Sequence, residues 1–338
     1  MKVALRADAG PSEGVGHVMR MLALAGGFAA DEVRLLCGPT GIPWLERLLA
    51  SSGIERVPVR EATLGRDELR AVGADVVVVD SYRIPSDDVS DLYDSGFPVT
   101  LVCDGDTRGC RAALFVDHNL GAEEVAWPPE ARGRILAGAR YSLVREQMLE
   151  ARRQHSERQG SVGSRPRTVV FAGGSDVRSA TTTLAGLVCA AGVGVEAVVI
   201  AGADQHEAIR DLPWAGPLEL HEPTPELPLL LGDADVCITA AGTSAWDVLT
   251  VGLPSAFLAV VDNQEPSLDT ISDARVGLSL GTLDDVRADG TRATSAIRRL
   301  LTETSLRREL ADRSREVFDG RGRERVAAEV RATARSGR

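Results

Sequence analysis

The sequence predicts an α/β protein built from two doubly wound, parallel-sheet domains, and three observations predict it. Short β-branched apolar runs alternate with helical patterns. Those runs are apolar at nearly every position, the mark of strands covered on both faces. The alternation stops at a polar stretch rich in Ser and Gly and then starts again. With 338 residues and 44% hydrophobic content, the chain has material for a core in each half.

In the first half, "VALRA" (3–7), "EVRLLC" (32–37), "DVVVVD" (75–80), "PVTLVC" (98–103) and "AALFV" (112–116) are predicted strands. "IPWLERLLASSG" and "SDDVSDLYDSG" carry helical periodicity and end in glycine, as helices commonly do. The polar run "ARRQHSERQGSVGSRPR" (151–167) is expected to finish a helix and continue as a linker. Strands are predicted again at "RTVVFAGG", "VEAVVIAG", "PLELHE", "ADVCITAAG" and "PSAFLAVVD". The charged stretch from about residue 303 reads as helical with a solvated face and is given no chemistry. The expected division is a first domain over 1–150, a linker over 151–167, a second domain over 168–320 and a helical tail over 321–338.

A formal net charge of −11 argues against nucleic acid or an anionic membrane surface as partner. No apolar run reaches the roughly 18 to 20 residues that span a bilayer, and the start has no signal-peptide core, so a soluble cytoplasmic protein is expected. Five cysteines with no C-x-x-C pair point to reduced thiols.

Ligands of open parallel sheets collect at the carboxyl ends of the strands, so motifs just after strands carry the chemistry. "GVGHVMR" (14–20) follows the first strand and opens a helix. A dinucleotide fingerprint needs a third glycine where Met19 stands and an acid at the end of the second strand, where Cys37 stands. What remains is a tight glycine loop that places His17 at a helix start, where the dipole favours a neutral imidazole able to accept a proton. A capping or core histidine fits the spacing equally well. "FAGGSD" (171–176) ends a strand in Gly173 and Gly174 with Ser175 and Asp176 following, which suits a phosphate or an ordinary turn. The third motif, residues 234–264, runs from a strand through Gly242, Thr243 and Ser244 into a helix bearing Asp247, then through Gly252 and Pro254 to a strand and Asn263–Gln264. Hydroxyls at a helix start suit phosphate, and a carboxylate one turn later suits adjacent ribose hydroxyls. Asp104-Gly-Asp106 offers a rival D-x-D metal reading. His118, His155, His206 and His221 have no ligand spacing and are expected at the surface, His155 within the linker, with "DHNLG" around His118 an alternative border of the cleft.

Together these motifs resemble GT-B nucleotide-sugar enzymes, in the branch of the UDP-sugar hydrolase of pseudaminic acid synthesis and the spore-coat polysaccharide predicted glycosyltransferases. The resemblance rests on "RADAGPSEGVGHVMRMLALA", "VVVVDSYRI", "LAGARYSLVREQM", "FAGGSD" and "GTSAWD...GLP...NQ" and covers nearly the whole chain. It implies two Rossmann-like domains facing across a cleft, with His17 as catalytic base. It implies donor contacts from Gly16, Gly174, Asp176, Thr243, Ser244, Asp247, Asn263 and Gln264, and a sugar or acceptor pocket at Asp8, Tyr82 and Tyr141. No metal and no separate cofactor are implied, the UDP-sugar being a substrate. Two departures stand out: Asp247 replaces the family's usual Glu, and Asp104-Gly-Asp106 replaces its paired aspartates. The expected activity is an inverting transfer of the sugar to a small soluble acceptor, a hydroxyl or a ring nitrogen such as that of a nucleobase, as in cytosylglucuronic acid synthases. The alternative is transfer to water by a hydrolase, and a non-catalytic nucleotide-sugar sensor is a third class.

Overall fold

In the computed structural model, residues 1–336 are described except 11–13, 29, 60–61, 130, 159–164, 175 and 177. Two units are present: Met1–Glu146 with Gly320–Arg338, and Gln147–Asp319. In the first, strands β1 (Lys2–Ala7), β2 (Glu32–Leu36), β3 (Glu55–Val57), β4 (Val76–Asp80), β5 (Val99–Val102), β6 (Leu114–Asp117) and β7 (Arg134–Ala137) form a parallel sheet in the order 3-2-1-4-5-6-7. In the second, β8 (Arg167–Phe171), β9 (Glu196–Ile200), β10 (Leu218–His221), β11 (Val236–Ala240), β12 (Ser255–Ala259) and β13 (Leu278–Thr282) follow the order 10-9-8-11-12-13, also parallel.

The apolar runs are strands because both faces of each sheet are covered. Val76 and Val78 pack with the helices Gly16–Gly26, Pro43–Ser51 and Gly322–Ser336, while Val77 and Val79 pack with Arg66–Ala71 and Ser86–Asp94. Alternate side chains of one strand therefore enter two cores, which demands apolar residues at every position. Chain direction across the sheet reverses at β1/β4 in the first unit and at β8/β11 in the second. These are the two places where a parallel sheet opens a crevice at its carboxyl edge.

The C-terminal stretch differs from its expectation. Gly322–Ser336 is helical, but Val326, Ala327, Val330 and Ala334 are buried in the first unit's core, so it is part of that unit and not a solvated tail. Gly322 lets its backbone pass against Ser142, since a Cβ there would lie 2.2 Å from the Ser142 carbonyl oxygen. Helix Glu146–Arg158 occupies much of the expected linker and belongs almost wholly to the second unit. Its His155 is buried, with Nδ1 3.1 Å from the Ala234 carbonyl, and His118 is buried in the first unit, so neither is the surface histidine expected. The polar residues around His155 had concealed its burial; each imidazole is instead held by neighbours distant in sequence. All five cysteines are free thiols. Among the described residues, no helix is long and apolar enough to cross a membrane.

Candidate active site

At the carboxyl edge of the first sheet, four neighbouring strands each deliver an aspartate: Asp8 follows β1, Asp80 ends β4, Asp104 follows β5 and Asp117 ends β6. Asp8, Asp80 and Asp117 are buried there and so require partners, while Asp104 stays more open. Asp8 takes the Ser81 hydroxyl at 2.5 Å and the buried Arg6 guanidinium at 2.8 Å, tying the ends of β1 and β4 together. Asp117 accepts the backbone amides of Gly105 at 2.7 Å and Asn119 at 3.0 Å.

Asp80 receives the glycine-loop helix. Gly10 and Gly14 exchange backbone hydrogen bonds across the loop, and Gly14 has φ of 78°, a conformation glycine adopts without a Cβ penalty. The helix then begins at Gly16, and three-residue spacing puts His17 and Arg20 on one face. His17 Nδ1 lies 2.6 Å from Asp80 Oδ1. A contact that short between nitrogen and carboxylate oxygen holds a proton, so the tautomer is assigned as Nδ1–H donating to Asp80, which leaves the Nε2 lone pair available. The ring is only 11% exposed, and Tyr82 meets it edge to face with centroids 5.0 Å apart.

Arg20 joins the aspartates. Its Nε and Nη2 donate to the two Asp80 oxygens at 2.8 Å each, and Nη1 donates to Asp104 at 2.8 Å and lies 3.3 Å from His118 Nε2. Asp104 also accepts the Tyr82 hydroxyl at 2.7 Å and the Asn119 amide at 3.0 Å. Burial opposes ionisation of Asp80, but Arg20 and His17 outweigh it and hold the carboxyl below its usual range. Asp104 shows the same balance and is also held well below, again chiefly through Arg20. Partial desolvation of the half-exposed Tyr82 side chain, reinforced by Asp104, pushes its phenol up, so it remains a donor. Burial and the adjacent Arg20 push His118 down to about 4.

The D-x-D pair is thus turned toward donors: Asp104 as above, and Asp106 to the Arg108 amide at 2.7 Å. Arg108, at φ of 52°, donates to the carbonyls of Ser81 and Ile84 at 3.0 and 2.9 Å and lies 5.7 Å from the Tyr82 ring centroid. Tyr82 therefore belongs to the His17 cluster, whereas Asp8 is tied to Ser81, the residue after Asp80, and not to His17 itself. Tyr141 sits apart, packed on the first unit's core with Arg140 5.2 Å from its ring, and connects through the following backbone, where Leu143 N lies 3.4 Å from His118 Nδ1. No group of three or more His, Cys, Asp or Glu is placed to hold a metal ion among the described residues.

In the second unit the loops after β8, β11 and β12 are neighbours along one sheet edge. Gly173 has φ of 85°, Gly174 follows, and Ser175 lies outside the described residues. Asp176 directs both carboxylate oxygens at the helix Ala180–Ala190, accepting Ala180 N at 2.7 Å and Thr181 N at 2.8 Å, while Gln205 takes Thr182 N at 3.3 Å. The first turn of that helix is therefore capped from within. Arg178 ties this loop to the carbonyl of Val260 at 2.7 Å. After β11, Thr243 is the N-cap of helix Ser244–Val251, whose first turn carries Asp247. Trp246 anchors the helix by stacking on Phe318, with centroids 5.8 Å apart. Gln264, in the turn Asp262–Gln264 with Asn263, accepts Val260 N at 2.9 Å and lays its amide nitrogen against Gly242, 3.1 Å from where a Cβ would stand. Gly242, Thr243, Ser244 and Gln264 are thus brought together.

Sequence reasoning missed Arg20, Asp80, Asp117 and Arg108, and it preferred the surface for His118 over the border of the cleft. A signal for the aspartates is present, because "RAD", "VVVVD", "VCD" and "LFVD" each close an apolar run.

No family model matches the chain. Among solved structures, MurG of Acinetobacter baumannii aligns with a TM-score of 0.63 at 16% identity, over 98% of this chain and 100% of that one. The spinosyn rhamnosyltransferase SpnG, complexed with thymidine diphosphate, aligns with a TM-score of 0.65 at 18% identity, over 98% and 99%. The fold is that of GT-B glycosyltransferases. In sequence, the spore coat polysaccharide biosynthesis protein SpsG of Bacillus subtilis (strain 168) is 31% identical over 107 residues, 32% of this chain. That match spans 31% of the relative's length.

Proposed function

We propose that this protein is an inverting glycosyltransferase that moves a sugar from a nucleoside diphosphate to a small soluble acceptor. The observation that carries the reading is the 2.6 Å contact of His17 Nδ1 with Asp80, which fixes the imidazole's tautomer and turns a helix-start histidine into an oriented base. In this reading Nε2 takes the proton of an acceptor O–H or N–H as that atom bonds to the anomeric carbon. The bond from that carbon to the diphosphate oxygen breaks, and a single displacement inverts the configuration. Charge on the departing diphosphate is met by Thr243, Ser244 and Gln264 and the start of the Ser244–Val251 helix, while Asp247 takes ribose hydroxyls. Gly16 and Gly174 allow close backbone approach, and Asn263 adds a donor contact. Tyr82 borders the base on the acceptor side.

SpnG has been crystallised with thymidine diphosphate, which supports a pyrimidine nucleoside diphosphate as leaving group here, with UDP our choice. The orientation of Asp104 and Asp106 toward N–H and O–H donors supports a reaction that needs no divalent cation. Water uses the same base equally well, so the hydrolase differs only in the nucleophile. The test is nucleoside diphosphate release from a panel of UDP-, CDP- and TDP-sugars, with and without hydroxyl and nucleobase acceptors, in buffer and in EDTA. Acceptor-dependent release that persists in EDTA is expected. Full-rate release without acceptor would replace the transferase by the hydrolase, and loss in EDTA would overturn the metal-free chemistry.

A further inference from the structure

The His17 imidazole is faced by groups of opposite charge. From β4 comes the Asp80 carboxylate at 2.6 Å, and from one turn along its own helix comes Arg20, whose Nη2 lies 2.9 Å from the same Nδ1. Because the Nδ1 proton is directed at Asp80, the guanidinium contact is not a hydrogen bond: two donors are held side by side. Tyr82 contributes its ring edge, and beyond Arg20 lie Asp104 and His118; Arg108 stands on the far side of Tyr82. Arg20 is itself immobilised, since the fork on Asp80 and the third bond to Asp104 use its planar geometry, and the side chain is buried.

We infer that Arg20 is a positioning residue for the base, locking Asp80 in the orientation that holds His17 and opposing, by its charge, protonation of that imidazole. The inference rests on the role proposed for His17. The Asp80 carboxylate by itself favours positive charge on the ring it touches. A guanidinium in contact with the ring makes protonation bring two cations together, which offsets the carboxylate. A structural role for Arg20, neutralising Asp80 and Asp104 and nothing more, predicts loss of stability without any change in how His17 takes up protons.

The test needs no substrate. Diethyl pyrocarbonate labels unprotonated imidazole, and the extent at His17 is read by mass spectrometry of the peptide across pH on the full-length protein. In Arg20→Met, half-maximal labelling is expected to move to higher pH by about one pH unit. Arg20→Lys, which keeps the charge but not the fork, should stay near the parent curve, and Asp80→Asn should move to lower pH. Should Arg20→Met fail to fold, as judged by circular dichroism, Arg20→Met/Asp104→Asn restores charge balance and is expected to give the same upward movement. A labelling curve for Arg20→Met, or for the double variant in its place, that coincides with the parent overturns the inference. So does movement of the Arg20 and Asp80 variants in the same direction. The catalytic reading is judged separately by the activity of His17→Ala, so the two ideas fail on different observations.

Discussion

Two buried histidines, one in each unit, make acid stability a sharp test of the structure. Burial, with Arg20 close by, holds His118 down at about 4, and burial, with Arg315, does the same to His155, also about 4. In the unfolded chain an imidazole takes its proton near pH 6.5. Between about 6.5 and 4 the unfolded state therefore binds protons that the folded state refuses, and stability falls as pH falls. A depression of that size corresponds to about 3 kcal/mol for each histidine at the acid end of the window. The carboxylates leave most of this window to the histidines. Asp80 and Asp104 are held below the usual range and Glu46 at about 2, so the stability they contribute is present above the unfolded carboxylate range and is lost only at lower pH. Asp117, raised by burial, runs the other way, since its protonation favours the folded state near the bottom of the window. The assay is urea unfolding followed by circular dichroism from about pH 7.5 to about 4.5. His155→Asn, whose amide can still donate to the Ala234 carbonyl, should remove the second unit's share of the slope. Stability that stays flat across the window, or a variant as steep as the parent, would refute the reasoning.

Three further outcomes follow from local geometry. At Gly27 a Cβ would stand 2.6 Å from the Arg323 carbonyl oxygen, so Gly27→Ala should force the Gly322–Ser336 helix away from Gly16–Gly26. It is expected to lower the urea-measured stability of the first unit by about 1 to 3 kcal/mol, and an unchanged midpoint would show that the helices part without cost. Gly186 lies inside the Ala180–Ala190 helix with nothing within 4 Å of its Cβ position, so Gly186→Ala should gain about 0.5 to 1 kcal/mol in the same assay. Gly242→Ala should push back the Gln264 amide and raise KM for the donor more than it lowers kcat; unaltered donor kinetics would remove Gln264 from the site.

The central strands were legible because each is buried on both faces and so reads as an unbroken apolar run. The strands β3, β7 and β13 were not: they lie at sheet edges, where runs such as "ERV" and "LSLGT" keep polar residues, although the edge strand β10 was legible from "PLELHE". In sequence the C-terminal helix looks solvated because its many charges hide a stripe of Val326, Ala327, Val330 and Ala334. At the site, local signals were sufficient for His17 at a helix start and for the Gly242–Ser244 turn. The partners of His17 were hidden for a topological reason: Asp80 is 63 residues away and reaches the ring only because β4 lies beside β1. The aspartate of the D-x-D pair was visible, yet its pairing with Arg20, 84 residues earlier, decides what it does.

The account depends on the imidazole that Asp80 orients. The most direct measurement is the rate of nucleoside diphosphate release for His17→Ala beside the parent, with the donor and acceptor that the parent prefers and with folding verified by circular dichroism. A base of this kind contributes about 100- to 10,000-fold, so kcat should fall by that order while donor KM changes little. A His17→Ala protein that releases nucleotide at the parental rate would contradict the claim.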